Sequence, residues 1–193
     1  YLRKERKGVS LIVFFACSAL AVLTKGPLGL IIPLLIVILF LWLRHEIRYL
    51  WCADAIWGVL IFIAIALPWY MYMLTKYKEA FTHEFFYNDH IRRLIEAEHK
   101  ANDTWYFYPL SMFGCIFPWS IFALVSLCAL VKKRLLQDEP VYLFLACWIA
   151  VVFAVFQCAH SKLVSYIFPL FPALALLIGD YICNIVKDKK NIF

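Results

Sequence analysis

The sequence predicts an all-α polytopic membrane protein, with about six transmembrane helices and an interfacial helical outer loop. Three observations predict it. Of the 193 residues, 65% are hydrophobic, whereas soluble domains are about half apolar; the mean hydropathy is +0.79. The apolar residues fall into long runs separated by short basic clusters. Aromatic residues make up 18% of the chain and gather near the run ends, where an interfacial belt lies.

A spanning helix needs roughly 20 apolar residues, within a range of about 17–25. Six runs qualify or come close: 9–24, 28–43, 55–74, 105–131, 141–159 and 163–183, all within one transmembrane domain, 1–193. The first two cannot form one helix. At ~1.5 Å per residue, 9–43 would measure ~52 Å against a hydrocarbon core of ~30 Å. Gly26-Pro27 supplies the turn between them, so the pair reads as a hairpin with its tip at the membrane surface. Arg3-Lys4-Glu5-Arg6-Lys7 imitates a signal-peptide start, but a second apolar span follows the first and no small-residue cleavage site intervenes. With Tyr1 as its first residue, the chain reads as part of a longer protein.

With the N-terminus cytoplasmic, that side receives Arg3, Lys4, Arg6, Lys7, Arg44, Arg48, Lys132, Lys133, Arg134, Lys187, Lys189 and Lys190. The other side receives Lys25, Lys76, Lys78, Arg92, Arg93, Lys100 and Lys162. This distribution satisfies the positive-inside rule with both ends of the chain cytoplasmic. The net charge of +6 therefore reports membrane topology and gives no reason to expect nucleic acid as a partner. The extracytoplasmic loop 75–104 is the one sizeable segment outside the spans. Tyr77, Phe81 and Phe85 recur in it every four residues, as on one face of an interfacial helix. A second short helix is expected over 91–99, with Arg92 and Glu96 paired at i, i+4.

The seven cysteines, 17, 52, 115, 128, 147, 158 and 183, show no CxxC spacing and read as small packing residues. His83, Glu84, His90 and His99 fit no common metal-ligand spacing. No cofactor motif is evident, and the sequence leaves open whether the longer protein uses a divalent metal. No Gly-rich nucleotide loop and no mid-span carboxylate appear; Asp54 and Asp180 fall near run ends. This speaks against a nucleotide-driven or proton-coupled machine.

Two cations stand out. Lys25, in Thr24-Lys25-Gly26-Pro27, lies between two apolar runs, and Lys162, in His160-Ser161-Lys162-Leu163, lies the same way between two later ones. Each reads either as a lysine snorkelling at a helix end or as a donor to an anionic headgroup, most simply a phosphate. Near Lys25 such an anion would also meet free N–H groups at the N-terminus of the next helix. On a helix, Lys162 and Tyr166 would share a face. His90 and Arg93, three apart, read as a phosphate clamp or as a solvated face. The candidate phosphate-binding set is Lys25, His90, Arg93, Lys162 and Tyr166.

These residues sit in motifs that carry a family resemblance. Leu23-Thr24-Lys25-Gly26-Pro27 resembles the TKGP signature of bacterial lipid-carrier-dependent glycosyltransferases of the aminoarabinose-transferase type, relatives of the protein O-mannosyltransferases in the GT-C superfamily. In the same order follow Leu67-Pro68-Trp69-Tyr70 and Asp89-His90-Ile91-Arg92-Arg93-Leu94. The latter is similar to EHxxRF, with Asp for Glu and Leu for Phe. Phe117-Pro118-Trp119-Ser120 matches PWS. Ser161-Lys162-Leu163-Val164-Ser165-Tyr166, with Pro169 and Pro172, is similar to SKxxxYxxPxxP.

The resemblance implies an enzyme of the bacterial inner membrane. Such an enzyme takes a sugar from a polyprenyl-phosphate (undecaprenyl-phosphate) carrier to an extracytoplasmic lipid or glycan acceptor such as lipid A, with membrane lipids around it. It also implies a catalytic carboxylate in an upstream loop, so no residue of this chain is carried over as the catalytic base. Three other readings remain: a protein O-mannosyltransferase-like enzyme with another acceptor, a polyprenyl-phosphate or lipid flippase, and a membrane scaffold.

Overall fold

A computed structural model describes residues 7–51, 53–81, 83, 102–132 and 139–190. These are helical or irregular, with no strand among them. The chain forms two units, Tyr1–Ile91 and Arg92–Phe193.

In the first unit, α1 (Lys7–Lys25), α2 (Leu28–Leu43) and α3 (Ala53–Phe81) follow one another, with a 3-10 turn at Ile47–Trp51 before α3. The expected hairpin forms at Gly26-Pro27. Gly26 has φ 70°, the left-handed region that only glycine enters without steric cost, and its N–H donates to Val22 O at 2.9 Å. Pro27, at φ −52°, is already set for the helix that follows. The two arms then touch backbone to backbone. A Cβ on Gly29 would lie 2.5 Å from the Ala21 carbonyl carbon, so this crossing requires a residue without a side chain. Gly58 of α3 likewise makes room for the Phe15 ring of α1. Ala19 and Val22 of α1, Ile32, Ile36 and Phe40 of α2, and Ala66 of α3 are buried.

α3 runs past the expected end of its span. It stays helical until Lys78, where φ 44° and ψ −123° break it. Tyr77 and Phe81 therefore do not share one continuous helix face, as their spacing suggested. Tyr77 is exposed, whereas Phe81, beyond the break, folds back onto Trp69 and Tyr70, with ring centroids 5.8 and 6.4 Å away. Phe85 and the expected helix over 91–99 lie outside the described residues.

In the second unit, α4 (Phe107–Cys115) and α5 (Ser120–Lys132) are followed by α6 (Pro140–Cys158), a 3-10 helix (Val164–Leu170) and α7 (Phe171–Lys190). The run 105–131, expected as one span, is instead a pair of helices bent by 116°. The break falls at Phe117-Pro118. Pro118 has no N–H for the helix ladder, and its ring disfavours helical geometry at Phe117. Hydropathy is unaffected by such a bend, so the run looked continuous. Beside the break lies an apolar cleft of about 440 Å³, lined by Phe117 and Trp119 and, from α7, by Phe171 and Leu174. Leu130, Leu145, Ala173 and Leu177 form a buried core. α6 and α7 are also tied by Tyr142 Oη, which donates to Asp180 Oδ2 at 2.6 Å, while Asn184 Nδ2 donates to the same oxygen at 3.0 Å.

Among the described residues four helical stretches are long and apolar enough to cross a membrane: Gly8–Lys25, Asp54–Lys78, Pro140–Cys158 and Val164–Val186. The bent pair makes a fifth, and α2 is a shorter apolar helix of 16 residues. These are the six apolar runs of the sequence, and the chain is a multi-pass α-helical membrane protein.

Candidate functional site

The first unit places the TKGP turn against the LPWY motif. Tyr70 Oη donates to Val22 O at 3.2 Å, the same carbonyl that closes the Gly26 turn. Thr24 Oγ1 caps back onto Ala21 O at 2.9 Å. Lys25 ends α1, is exposed, and forms no ion pair with another described residue. The N–H groups expected to be open at the start of α2 are mostly engaged. Gly29 donates to Gly26 O at 2.9 Å, and Leu30 and Ile31 both donate to Pro27 O at 3.1 Å. The tight turn that Gly26 permits satisfies its own donors, so the anion-attracting feature here is the Lys25 ammonium and not the helix end.

The second unit builds a different environment around Lys162. Its side chain is only 5% exposed, and Nζ donates to Asp103 Oδ1 at 3.1 Å and to Thr104 O at 3.2 Å. Asp103 Oδ2 meets His160 Nδ1 at 2.8 Å. An ionised carboxylate can only accept, so this contact puts the proton on Nδ1. The hydrogen bond from His160, then that from Lys162, hold the Asp103 carboxyl below the usual carboxylate range. Two further bonds join the same segments: Asn102 Nδ2 donates to Lys162 O at 3.3 Å, and Gln157 Nε2 to Trp105 O at 3.0 Å.

The expected helical face shared by Lys162 and Tyr166 does not exist. Lys162 lies outside any helix, and Leu163 is extended at φ −128° and ψ 141°. Tyr166 sits in the 3-10 helix that follows, its ring stacked 5.5 Å from Phe156. Fully buried Tyr108 of α4 lies beside Tyr166 and the Leu163 backbone. Trp148 Nε1 donates to Pro169 O at 2.9 Å, bracing the proline-bearing turn. Ser161 Oγ and Gln157 Oε1 are shielded from solvent without a hydrogen-bond partner among the described residues. His90 and Arg93 lie outside the described residues.

Sequence reasoning missed Asp103, Tyr108 and Gln157. Asp103 lies in the loop 75–104, outside every motif read from the sequence. The available signal was Asn-Asp-Thr-Trp directly ahead of an apolar run, which is a weak one.

An ammonium has three donors, and two of Lys162's are used by Asp103 and Thr104. The third can meet a ligand oxygen. Coulomb energy falls as 1/r, so an anion bound on the far side of the ammonium, about twice as far from the carboxylate, keeps roughly half of the attraction. Lys162 is thus an oriented, partly neutralised donor, while Lys25 is an exposed charge without an ion pair among the described residues.

Helices long and apolar enough to cross a membrane, with the broken span among them, make this a polytopic α-helical membrane protein. The resemblance read from the motifs holds across nearly the whole chain, which is similar to transferases of the aminoarabinose type. An undecaprenyl phosphate-alpha-4-amino-4-deoxy-L-arabinose arabinosyl transferase from Enterobacter sp. (strain 638) is 31% identical over 195 residues, covering 98% of this chain and 34% of the relative. The protein of the same name from Photorhabdus laumondii is 28% identical over 188 residues, 96% of this chain and 33% of the relative. The crystal structure of ArnT from Cupriavidus metallidurans bound to undecaprenyl phosphate shares the fold with a TM-score of 0.72 at 25% identity, over 88% of this chain and 30% of that one. Residues 3–83 match the family profile of the dolichyl-phosphate-mannose-protein mannosyltransferases. The chain spans about a third of the length of the curated relatives it matches.

Proposed function

We propose that the protein is a glycosyltransferase of the bacterial inner membrane. It moves a sugar from a polyprenyl-phosphate carrier to an extracytoplasmic acceptor, lipid A or another glycan, with both ends of this chain on the cytoplasmic side. The observation that carries the reading is the likeness, over 96–98% of the chain, to transferases named for an undecaprenyl-phosphate-linked sugar. The site chemistry supports it. Displacement at the anomeric carbon leaves negative charge on the departing lipid phosphate, and donors fixed in advance lower the barrier where that charge develops. Lys162, with its third N–H, and the unpartnered Ser161 hydroxyl are such donors. Lys25, exposed at the end of α1 in the first unit, suits capture of a headgroup by itself; Tyr166 in the second unit, and His90 and Arg93, are the other residues proposed as phosphate donors. The apolar cleft beside Phe117 and Trp119 suits an isoprenoid chain.

The match of residues 3–83 to the mannosyltransferase profile favours one alternative, a protein O-mannosyltransferase-like enzyme with a polypeptide acceptor. One experiment tests both. The whole protein in lipid nanodiscs is supplied with a panel of undecaprenyl-phosphate-linked sugars, with lipid A or a Ser/Thr peptide as acceptor, and product is read by mass spectrometry. Transfer to lipid A supports the first reading and transfer to peptide the second; sugar left on the carrier with every acceptor refutes both. In the productive pairing, Lys162→Ala lowers turnover more than tenfold with membrane insertion unchanged.

A further inference from the structure

Residues 159–163 join α6 to the 3-10 helix; Ala159 N–H donates to Phe156 O at 3.3 Å and Leu163 O accepts from Tyr166 N–H at 3.1 Å, at the two ends of the segment. Ala159 and Leu163 are extended, so no helix ladder fixes Lys162. What holds it is the segment 102–105. Asn102 grips the Lys162 carbonyl, Thr104 O and Asp103 take the ammonium, and Trp105 O takes Gln157. Within that grip only Asp103 carries charge. It also has a second partner, His160, on its other oxygen, so the carboxylate is held from both sides and cannot rotate away from Nζ. A buried ammonium that loses its carboxylate swings toward water, because an uncompensated buried charge is strongly unfavourable. The Thr104 carbonyl, a neutral acceptor, cannot replace it.

We propose that Asp103 is a positioning residue for the phosphate site: it sets the location of the Lys162 ammonium, and His160 braces the carboxylate. This rests on the reading of Lys162 as a phosphate donor. Asp103 itself, an anion, does not touch the phosphate.

The test uses the whole protein in nanodiscs and undecaprenyl phosphate as the probe, with affinity measured per folded molecule and melting temperature measured alongside. Asp103→Asn is expected to weaken binding tenfold or more, Asp103→Glu to recover to within about threefold of wild type, and His160→Gln to lose two- to fivefold. The double variant Asp103→Asn with Lys162→Ala is expected to bind no more weakly than Lys162→Ala alone, because Asp103 acts through Lys162. A merely structural role would lower the melting temperature and leave affinity per folded molecule unchanged; that result overturns the proposal, as does a double variant that binds more weakly than Lys162→Ala by the full Asp103→Asn loss. Wild-type or tighter binding by Asp103→Asn also overturns it. If Lys162→Ala itself binds as wild type, the phosphate reading of Lys162 fails first, and the positioning role with it. Should Asp103→Asn not fold, His160→Gln decides: wild-type affinity in that variant refutes the brace.

Discussion

Gly29→Ala tests the hairpin on which the TKGP turn depends. The added Cβ would sit 2.5 Å from the Ala21 carbonyl carbon, 2.6 Å from its oxygen and 2.6 Å from Val22 N. Carbon atoms settle near 3.5–4.0 Å, so α1 and α2 must part by about 1 Å, a gap that removes a quarter to a half of each affected contact's dispersion energy. All three obstructing atoms are backbone, so no rotamer change relieves the clash, and overpacking of this kind costs about 1–3 kcal/mol. Alanine returns up to about 1 kcal/mol through helix propensity, less at the second residue of a helix. The net loss is about 1–2 kcal/mol, or roughly 3–6 °C in melting temperature by the scaling for chains of this size. Two comparisons sharpen the test. Gly58→Ala meets the Phe15 ring, which can rotate, so it loses less. Gly179→Ala in α7 meets nothing within 4 Å and gains about 0.5–1 kcal/mol. The assay is thermal unfolding of the whole protein, followed by labelling of its cysteines with a thiol-reactive dye. The order Gly29 below Gly58 below wild type below Gly179 is expected. A Gly29→Ala protein as stable as wild type would refute the backbone contact between α1 and α2.

Three further outcomes are expected. Because the folded-state pKa of Asp103 is lowered, its contribution to stability is fully present above the unfolded carboxylate range and is lost only as pH falls through the lowered value. The melting-temperature advantage of wild type over Asp103→Asn should therefore hold from neutral pH down to the usual Asp pKa of ~3.9, shrink below it and vanish only at the lowered value; an advantage that disappears near pH 6 would contradict this. Tyr142→Phe removes the 2.6 Å bond to Asp180 and is expected to cost about 1 kcal/mol, seen as earlier unfolding, with Asn184 still satisfying the carboxylate. Tyr70→Phe removes the donor to Val22 O and is expected to cost about 0.5–1.5 kcal/mol and to speed protease cleavage at the TKGP turn.

Membrane class, the approximate spans and the Gly26-Pro27 turn were all legible in the sequence because each is local. A run of apolar side chains is costly in water wherever it lies, and a left-handed turn calls for glycine whatever surrounds it. The motifs around Lys25 and Lys162 were legible for a related reason, since a lone cation between apolar runs is conspicuous without any knowledge of its neighbours. Partnership was not legible. Asp103 lies 59 residues from Lys162, and nothing in either segment marks the pairing. The bend at Phe117-Pro118 was hidden because hydropathy has no direction. The i, i+4 arguments for Tyr77 with Phe81 and for Lys162 with Tyr166 failed because they assumed a helix. Lys78 breaks one, and the extended Leu163 lies outside the other. Composition and local pattern therefore determined that this chain lives in a membrane and which cations are unusual. Tertiary structure alone decided that Lys25 stands exposed at the end of α1 while Lys162 is buried against a carboxylate. The energy of a buried charge depends on which groups the fold brings within about 3 Å of it, and sequence spacing does not record that distance.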